Sequence, residues 1–300
     1  MNRFGTFLIV LFFLGGVCLF SCKTMVEDSD ASGGFKLMDS TQTGINFTNT
    51  ITETPTEHIY TFNYIYNGAG VAIADFDNDG LQDIYFTGNQ VPDRLYKNEG
   101  EWKFKDVSLQ SGINKFGGWR SGISTVDINC DGLIDVYICR GGYQNNPELN
   151  KNLLFINKGS FVFEEQAEKY GIADPGFSIA STFFDYDNDG DLDLYVTNRP
   201  ERWGINEDSI MLVKEVYAKK GKYDPLVTDK LFRNNGDQTF TDVSTISGIY
   251  PNYGYGLSVT AADLNQDGFQ DLYVGNDFIE SDYFYINYGI IITKTFIIAV

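Results

Sequence analysis

The chain has 300 residues, 43% of them hydrophobic and 15% aromatic, and 41 acidic residues against 22 basic give a net charge of −19. That length suits one large all-β domain or two ordinary ones, and the 31 glycines favour many short strands and tight turns over helices. A pI near 4.3 without a basic stripe excludes nucleic acid as a partner, because phosphate contacts need clustered Lys and Arg.

The first segment, Met1-Asn2-Arg3 and an apolar run to Phe20, reads as a secretory signal over residues 1–21. It ends Leu19-Phe20-Ser21-Cys22, which resembles a bacterial lipobox with Cys22 as the lipidated first residue of the mature protein. The run is short for a spanning helix, which needs about 20 apolar residues. Residues 22–44 then read as the lipidated Cys22 and a polar, acidic tether. Cys130 and Cys139 are too few for a disulfide framework.

From Ile45 the sequence takes on a β-pattern, and residues 45–300 form the repeat region. Its centre is D-x-[DN]-x-D-G-x-x-D, found at residues 75–83, 127–135, 185–193 and 263–271. Successive first aspartates are 52, 58 and 78 residues apart, too far for a continuous calcium-binding wire of short repeats. Turn propensity explains one such loop, but not Asp at positions 1, 5 and 9 of all four. Calcium takes six to eight oxygens; positions 1, 3 and 5 supply three, glycine at 6 permits the turn, position 7 offers a backbone carbonyl, and position 9 closes the shell. Without a cation these carboxylates repel one another. Mg²⁺ is less suited to so flexible a cage.

The loop is not an EF-hand. Position 12, where an EF-hand has Glu, holds Phe86, Ile138, Val196 and Val274, inside the strand-like runs IYFTG, VYICR, LYVTN and LYVGN. Before each loop lies a small-residue approach (GAGVAIAD, RSGISTVD, FSIASTFFD, GLSVTAAD). After it come a third run, such as Arg94-Leu95-Tyr96-Lys97-Asn98, a Gly turn and a fourth run, such as WKFKDVS. Four strands with the loop between the first two make one repeat. Residues 200–229 are an insertion with a helix over residues 209–219, and insertions of this kind map to loops on one face.

These motifs resemble the FG-GAP/VCBS repeats of integrin-α-like β-propellers, and more narrowly the bacterial branch related to cartilage acidic protein (ASPIC/UnbV-type), found in lipoproteins. The resemblance implies an all-β fold in which each repeat is one four-stranded blade with Ca²⁺ between its first two strands. Carried over by position, the ligands are Asp75, Asp77, Asp79, Leu81 (carbonyl) and Asp83; Asp127, Asn129, Asp131, Leu133 (carbonyl) and Asp135; Asp185, Asp187, Asp189, Asp191 (carbonyl) and Asp193; and Asp263, Asn265, Asp267, Phe269 (carbonyl) and Asp271. Four structural Ca²⁺ would bring −19 to −11. The chain departs from the pattern after Asn287, where an apolar tail to Val300 is either a strand of different sequence or foreign to the repeat; an incomplete, truncated or frameshifted propeller of about four blades is expected.

The expected function is a non-enzymatic cell-envelope scaffold, lipid-anchored in a bacterial outer membrane on its periplasmic or surface face, for glycan or protein partners. The alternative is a polysaccharide lyase or hydrolase built on the propeller. For that, the chain offers one histidine, His58, beside Glu57 and Tyr60, and no Ser-His-Asp, zinc or phosphate-cradling pattern. Trp119, Trp203 and Tyr143 are candidates for stacking on sugars or, with Trp102 placed on a blade strand, equally for the core.

Overall fold

The computed structural model describes residues 34–142, 146–200, 225–249, 252, 254–277, 281–289 and the backbone of 292–296. The signal segment, Cys22, Tyr143, Trp203 and the helix expected over residues 209–219 lie outside these. The chain divides into two units, Met1–Met38 and Asp39–Val300. In the first, residues 34–38 carry no helix or strand; everything below concerns the second.

Among the described residues, sixteen strands form four sheets, each an antiparallel meander of four. The first blade is β1 (Val71–Ala74), β2 (Asp83–Phe86), β3 (Arg94–Asn98) and β4 (Phe104–Asp106). The second is β5 (Arg120–Val126), β6 (Asp135–Arg140), β7 (Leu153–Asn157) and β8 (Phe163–Glu165). The third is β9 (Ser178–Phe184), β10 (Asp193–Asn198), β11 (Lys230–Asn234) and β12 (Phe240–Asp242). The fourth is β13 (Tyr255–Ala262), β14 (Asp271–Asp277), β15 (Tyr283–Asn287) and β16 (Ile292–Phe296). The first strands lie side by side in the order β1, β5, β9, β13. This is an all-β, incomplete propeller of four blades.

Small residues on the first strands allow that close approach. A Cβ on Gly122 would sit 2.4 Å from the Ile179 carbonyl oxygen of the next blade, and Ser124 Oγ lies 2.8 Å from Ser181 Oγ. The blades then stack through three apolar layers. Phe76, Tyr85 and Leu95 meet Val136, Ile138 and Phe155 between blades 1 and 2. Tyr137, Leu154 and Ile156 meet Leu194, Val196 and Phe232 between blades 2 and 3, while Tyr195 and Leu231 meet Leu272 and Tyr285 between blades 3 and 4. Strand β6 is buried throughout because alternate residues serve both neighbours, which is why VYIC is apolar without a gap. Among the described residues, blade 1 has a neighbouring blade on one face only, and Val71 and Ile73 are 57% and 62% exposed.

The structure corrects one expectation and decides two that were open. The β-pattern placed from Ile45 becomes a strand only at Val71; residues 45–62 run irregularly along blade 1, with Phe47 stacked on Phe86 at 5.0 Å and Asn46 N–H donating to Tyr96 Oη at 3.2 Å. The apolar tail supplies β16, which pairs with β15 from Asn287↔Ile292 to Tyr283↔Phe296. A strand needs only extended backbone and a free neighbouring edge, so a tail without the repeat's signature still completes the sheet. Finally, Trp119 is only 4% exposed, edge-on to Phe62 at 4.9 Å, and belongs to the core, whereas Trp102 sits exposed in the turn before β4 with φ 61°.

Candidate metal centres

Each D-x-[DN]-x-D-G-x-x-D loop joins the first two strands of a blade and is flanked by a ladder pair: Ala74↔Asp83, Val126↔Asp135, Phe184↔Asp193 and Ala262↔Asp271. The ninth position is therefore the first residue of the second strand, and strand pairing brings it back beside the first.

The loops share one internal wiring. The aspartate at position 1 accepts the N–H groups of positions 5 and 6: Asp75 from Asp79 and Gly80 at 3.0 and 2.8 Å, Asp127 from Asp131 and Gly132 at 3.0 and 2.9 Å. Asp185 and Asp263 do the same with Asp189, Gly190, Asp267 and Gly268. The aspartate at position 5 accepts the N–H of position 7, which is Leu81, Leu133, Asp191 or Phe269. Glycine at position 6 has φ between 84° and 94° in all four loops, so a side chain there would be strained. Position 4 is also left-handed, at Asn78 (58°), Cys130 (56°), Asn188 (59°) and Gln266 (63°).

Position 9 is buried in every loop. One oxygen of Asp193 accepts the Tyr186 N–H at 2.9 Å and the other the Asn234 N–H at 2.8 Å. Asp83, Asp135 and Asp271 are held identically by Phe76 and Asn98, by Ile128 and Asn157, and by Leu264 and Asn287. Burial pushes the carboxyls of Asp135 and Asp193 up to about 6 and about 7, outweighing the backbone donors that pull them down, and it raises Asp83 too.

Carboxylate oxygens of Asp75, Asp77 and Asp83 lie within 4.8 Å of one another, as do those of Asp185, Asp187 and Asp193, and both groups are placed to hold a metal ion. In these same loops Asp77 Oδ1 and Asp187 Oδ1 are buried without a hydrogen-bond partner. An oxygen removed from water and given no donor is costly unless a cation satisfies it, so an oxygen-liganded ion fits both loops. In loops 2 and 4 position 3 is Asn129 or Asn265, whose side-chain N–H donates to Asp131 Oδ2 at 3.0 Å or Asp267 Oδ2 at 2.8 Å.

Two sets of supporting residues escaped the sequence reading. The asparagine ending each third strand (Asn98, Asn157, Asn234, Asn287) donates its backbone N–H to position 9 and its side-chain N–H to the carbonyl of position 8. Asn157 also reaches the Phe76 carbonyl of blade 1 at 2.8 Å, and Asn287 the Tyr186 carbonyl of blade 3 at 2.7 Å. Asn78 and Asn188 tie the same blade pairs by donating to the Gly132 and Gly268 carbonyls. The second set lies at the other end of the blades. The second-strand tyrosine hydroxyl meets a residue two positions before the Leu or Phe of the third strand: Tyr85–Asp93, Tyr195–Asp229 and Tyr273–Asp282, with Asn152 facing Tyr137 in blade 2. Its spacing from the tyrosine varies too much to be read forward along the chain, but D/N-x-[LF] at the third strand is a usable signal.

His58 lies in the irregular segment before blade 1, where its Nδ1 accepts the Tyr60 N–H at 3.3 Å. Among the described residues no helix is long and apolar enough to cross a membrane.

A family model for FG-GAP-like repeats matches residues 75–138 and 220–274. Cartilage acidic protein 1 of Xenopus tropicalis is 28% identical over 232 residues, covering 70% of this chain and 31% of that protein. The Homo sapiens protein of the same name is 25% identical over 229 residues, covering 70% and 30%. The chain thus spans about a third of the length of the curated relatives it matches. Among solved structures, the V. cholerae biofilm matrix protein Bap1 aligns with 71% of this chain and 26% of its own, at 18% identity and a TM-score of 0.33.

Proposed function

With FG-GAP-like repeats present in this chain, we propose that it is a calcium-stabilised, non-enzymatic scaffold that offers its blade faces and loops to a glycan or protein partner at the cell envelope. The observation that carries this is the pair of buried, unpartnered oxygens, Asp77 Oδ1 and Asp187 Oδ1, inside loops already closed by hydrogen bonds. The residues that would hold the ion are those at positions 1, 3, 5 and 9, with the position-7 carbonyl.

Calcium supplies charge neutralisation here. The loops themselves, through positions 1 and 9, join the first strand to the second, so an ion bound only by the folded loop stabilises the blade. At a hundredfold excess over Kd that is roughly 2.7 kcal/mol per site. Because the third-strand asparagines cross from blade 2 to blade 1 and from blade 4 to blade 3, ordering one loop also steadies the next blade.

The anchor proposed is a lipid on Cys22, in the context Leu19-Phe20-Ser21-Cys22, holding the protein to a bacterial outer membrane. Incorporation of labelled palmitate that disappears in Cys22→Ala supports it; unchanged incorporation overturns it. The scaffold reading is tested by calcium stoichiometry together with melting curves in calcium and in chelator. About four ions and a large loss of melting temperature in chelator are expected. A folded protein that binds no calcium refutes the reading.

A further inference from the structure

The four loops are not equivalent, and the difference follows a pattern across strands. Position 3 is Asp77 in blade 1 and Asp187 in blade 3, but Asn129 in blade 2 and Asn265 in blade 4. The residue just before the third-strand asparagine is Lys97 in blade 1 and Arg233 in blade 3, but Ile156 and Ile286 in blades 2 and 4. A carboxylate at position 3 thus goes with a cation on the third strand, and a carboxamide goes with isoleucine.

The contacts give the reason. Lys97 Nζ, packed over the Phe161 ring at 5.3 Å, pairs with Asp77 Oδ2 and lies 2.6 Å from Asp79 Oδ2. In blades 2 and 4 that same position-5 oxygen, Asp131 Oδ2 or Asp267 Oδ2, receives its N–H from the position-3 carboxamide instead. The lysine and the asparagine are alternative donors to one oxygen. In blade 3, Arg233 occupies the place of Lys97, one residue before the third-strand asparagine and next to Phe232, which pairs with Leu194 of the second strand. Over positions 1, 3, 5 and 9, four carboxylates with one cationic side chain carry the same charge as three carboxylates with none. Asp191 adds a further carboxylate in loop 3, at the position that offers its backbone carbonyl.

We propose that Lys97 is a specificity-determining residue of the blade-1 metal loop, balancing its extra position-3 carboxylate and competing with calcium for it, with Arg233 at the corresponding position of blade 3, so that blades 1 and 3 form one class of site and blades 2 and 4 another. The inference rests on the calcium reading above. Calcium entering blade 1 must take Asp77 and Asp79 from the Lys97 ammonium, whereas in blades 2 and 4 it displaces no cation of the protein.

The test is peptide-resolved hydrogen exchange of the full chain across a range of free calcium, following residues 75–83 with residues 127–135 as an internal reference. Lys97→Met keeps the aliphatic stem over Phe161 and removes the charge; it is expected to lower the loop-1 calcium midpoint by about tenfold or more, the effect of one charge in a partly solvated site. Asp77→Asn is expected to raise it by a similar factor, and the double variant to return it to within about threefold of wild type. The loop-2 midpoint should not move in any of them. As a second probe, Asn129→Asp places an unbalanced carboxylate in exposed loop 2, where Ile156 offers no charge, and is expected to lower that loop's midpoint. A loop-1 midpoint unmoved or raised in Lys97→Met overturns the pairing while leaving calcium binding intact. If no loop of the folded wild type responds to calcium, the calcium reading itself fails, and the pairing with it.

Discussion

Asp193→Ala separates what the loop contributes as a hydrogen-bonded clamp from what it contributes as a metal site. Asp193 is fully buried and accepts two backbone N–H groups, from Tyr186 at 2.9 Å and Asn234 at 2.8 Å, so alanine leaves two buried donors without acceptors. Each costs about 1–3 kcal/mol. Against this, alanine relieves the burial of a carboxylate whose ionisation is already disfavoured, its carboxyl being pushed up to about 7. The net loss in chelator at neutral pH should be about 2–4 kcal/mol, the lower part of the summed range. For a body of this size that is roughly 4–16 °C in Tm. Asp189, at position 5 of the same loop, is exposed and accepts only the neighbouring Asp191 N–H, so Asp189→Ala should be nearly silent in chelator and costly only in calcium. Calorimetric melts of both variants in calcium and in chelator make the comparison. An Asp193→Ala protein that melts in chelator within about 2 °C of wild type would show that the two N–H bonds do not carry the load assigned to them.

Asp135 and Asp193, with carboxyls raised to about 6 and about 7, hold a proton more tightly folded than unfolded. Their contribution in chelator is therefore full below the ordinary carboxylate pKa and is lost as pH rises through about 6 and 7. Calcium needs the ionised form, so the increase in Tm on adding calcium should shrink between about pH 8 and pH 5.5, and an increment constant over that range would count against position 9 as a ligand. Asn157→Ala and Asn287→Ala should cost about 1–3 kcal/mol each in urea melts, since each frees a buried carbonyl of the next blade; Asn234→Ala, bonded within its own blade, should cost less, and equal costs would refute the cross-blade assignment. Iodoacetamide should label exposed Cys130 in the native protein and Cys139 only on unfolding, because burial pushes the Cys139 thiol up to about 12; mass spectrometry of the labelled chain reads the outcome.

What could be read from residues alone was local. The loops are nine residues long, and their first, fifth, sixth and seventh positions wire to one another, so Asp75 to Asp83 and its three copies announced the turn and the cluster of oxygens within it. The runs after them, apolar on both faces in VYIC and LYV, announced strands buried between neighbours. Trp119 stayed open because nothing local distinguishes a tryptophan facing solvent from one covered by Phe62, 57 residues earlier in the chain. The tail after Asn287 stayed open for the opposite reason: it lacks the repeat's signature, but a strand needs only backbone bonds to β15.

The remaining features were decided by register and stacking. Lys97 lies 20 residues from Asp77, and Asn287 reaches the Tyr186 carbonyl across 101. No window along the chain holds both ends of such a pair. The sequence by itself determined where a turn and a converging set of oxygen donors belong, because those depend on neighbours within one loop. Which carboxylates are balanced by a lysine, which asparagine ties one blade to the next, and which aromatics are covered came only from the tertiary structure, because antiparallel pairing and blade stacking set those distances, not the spacing along the chain.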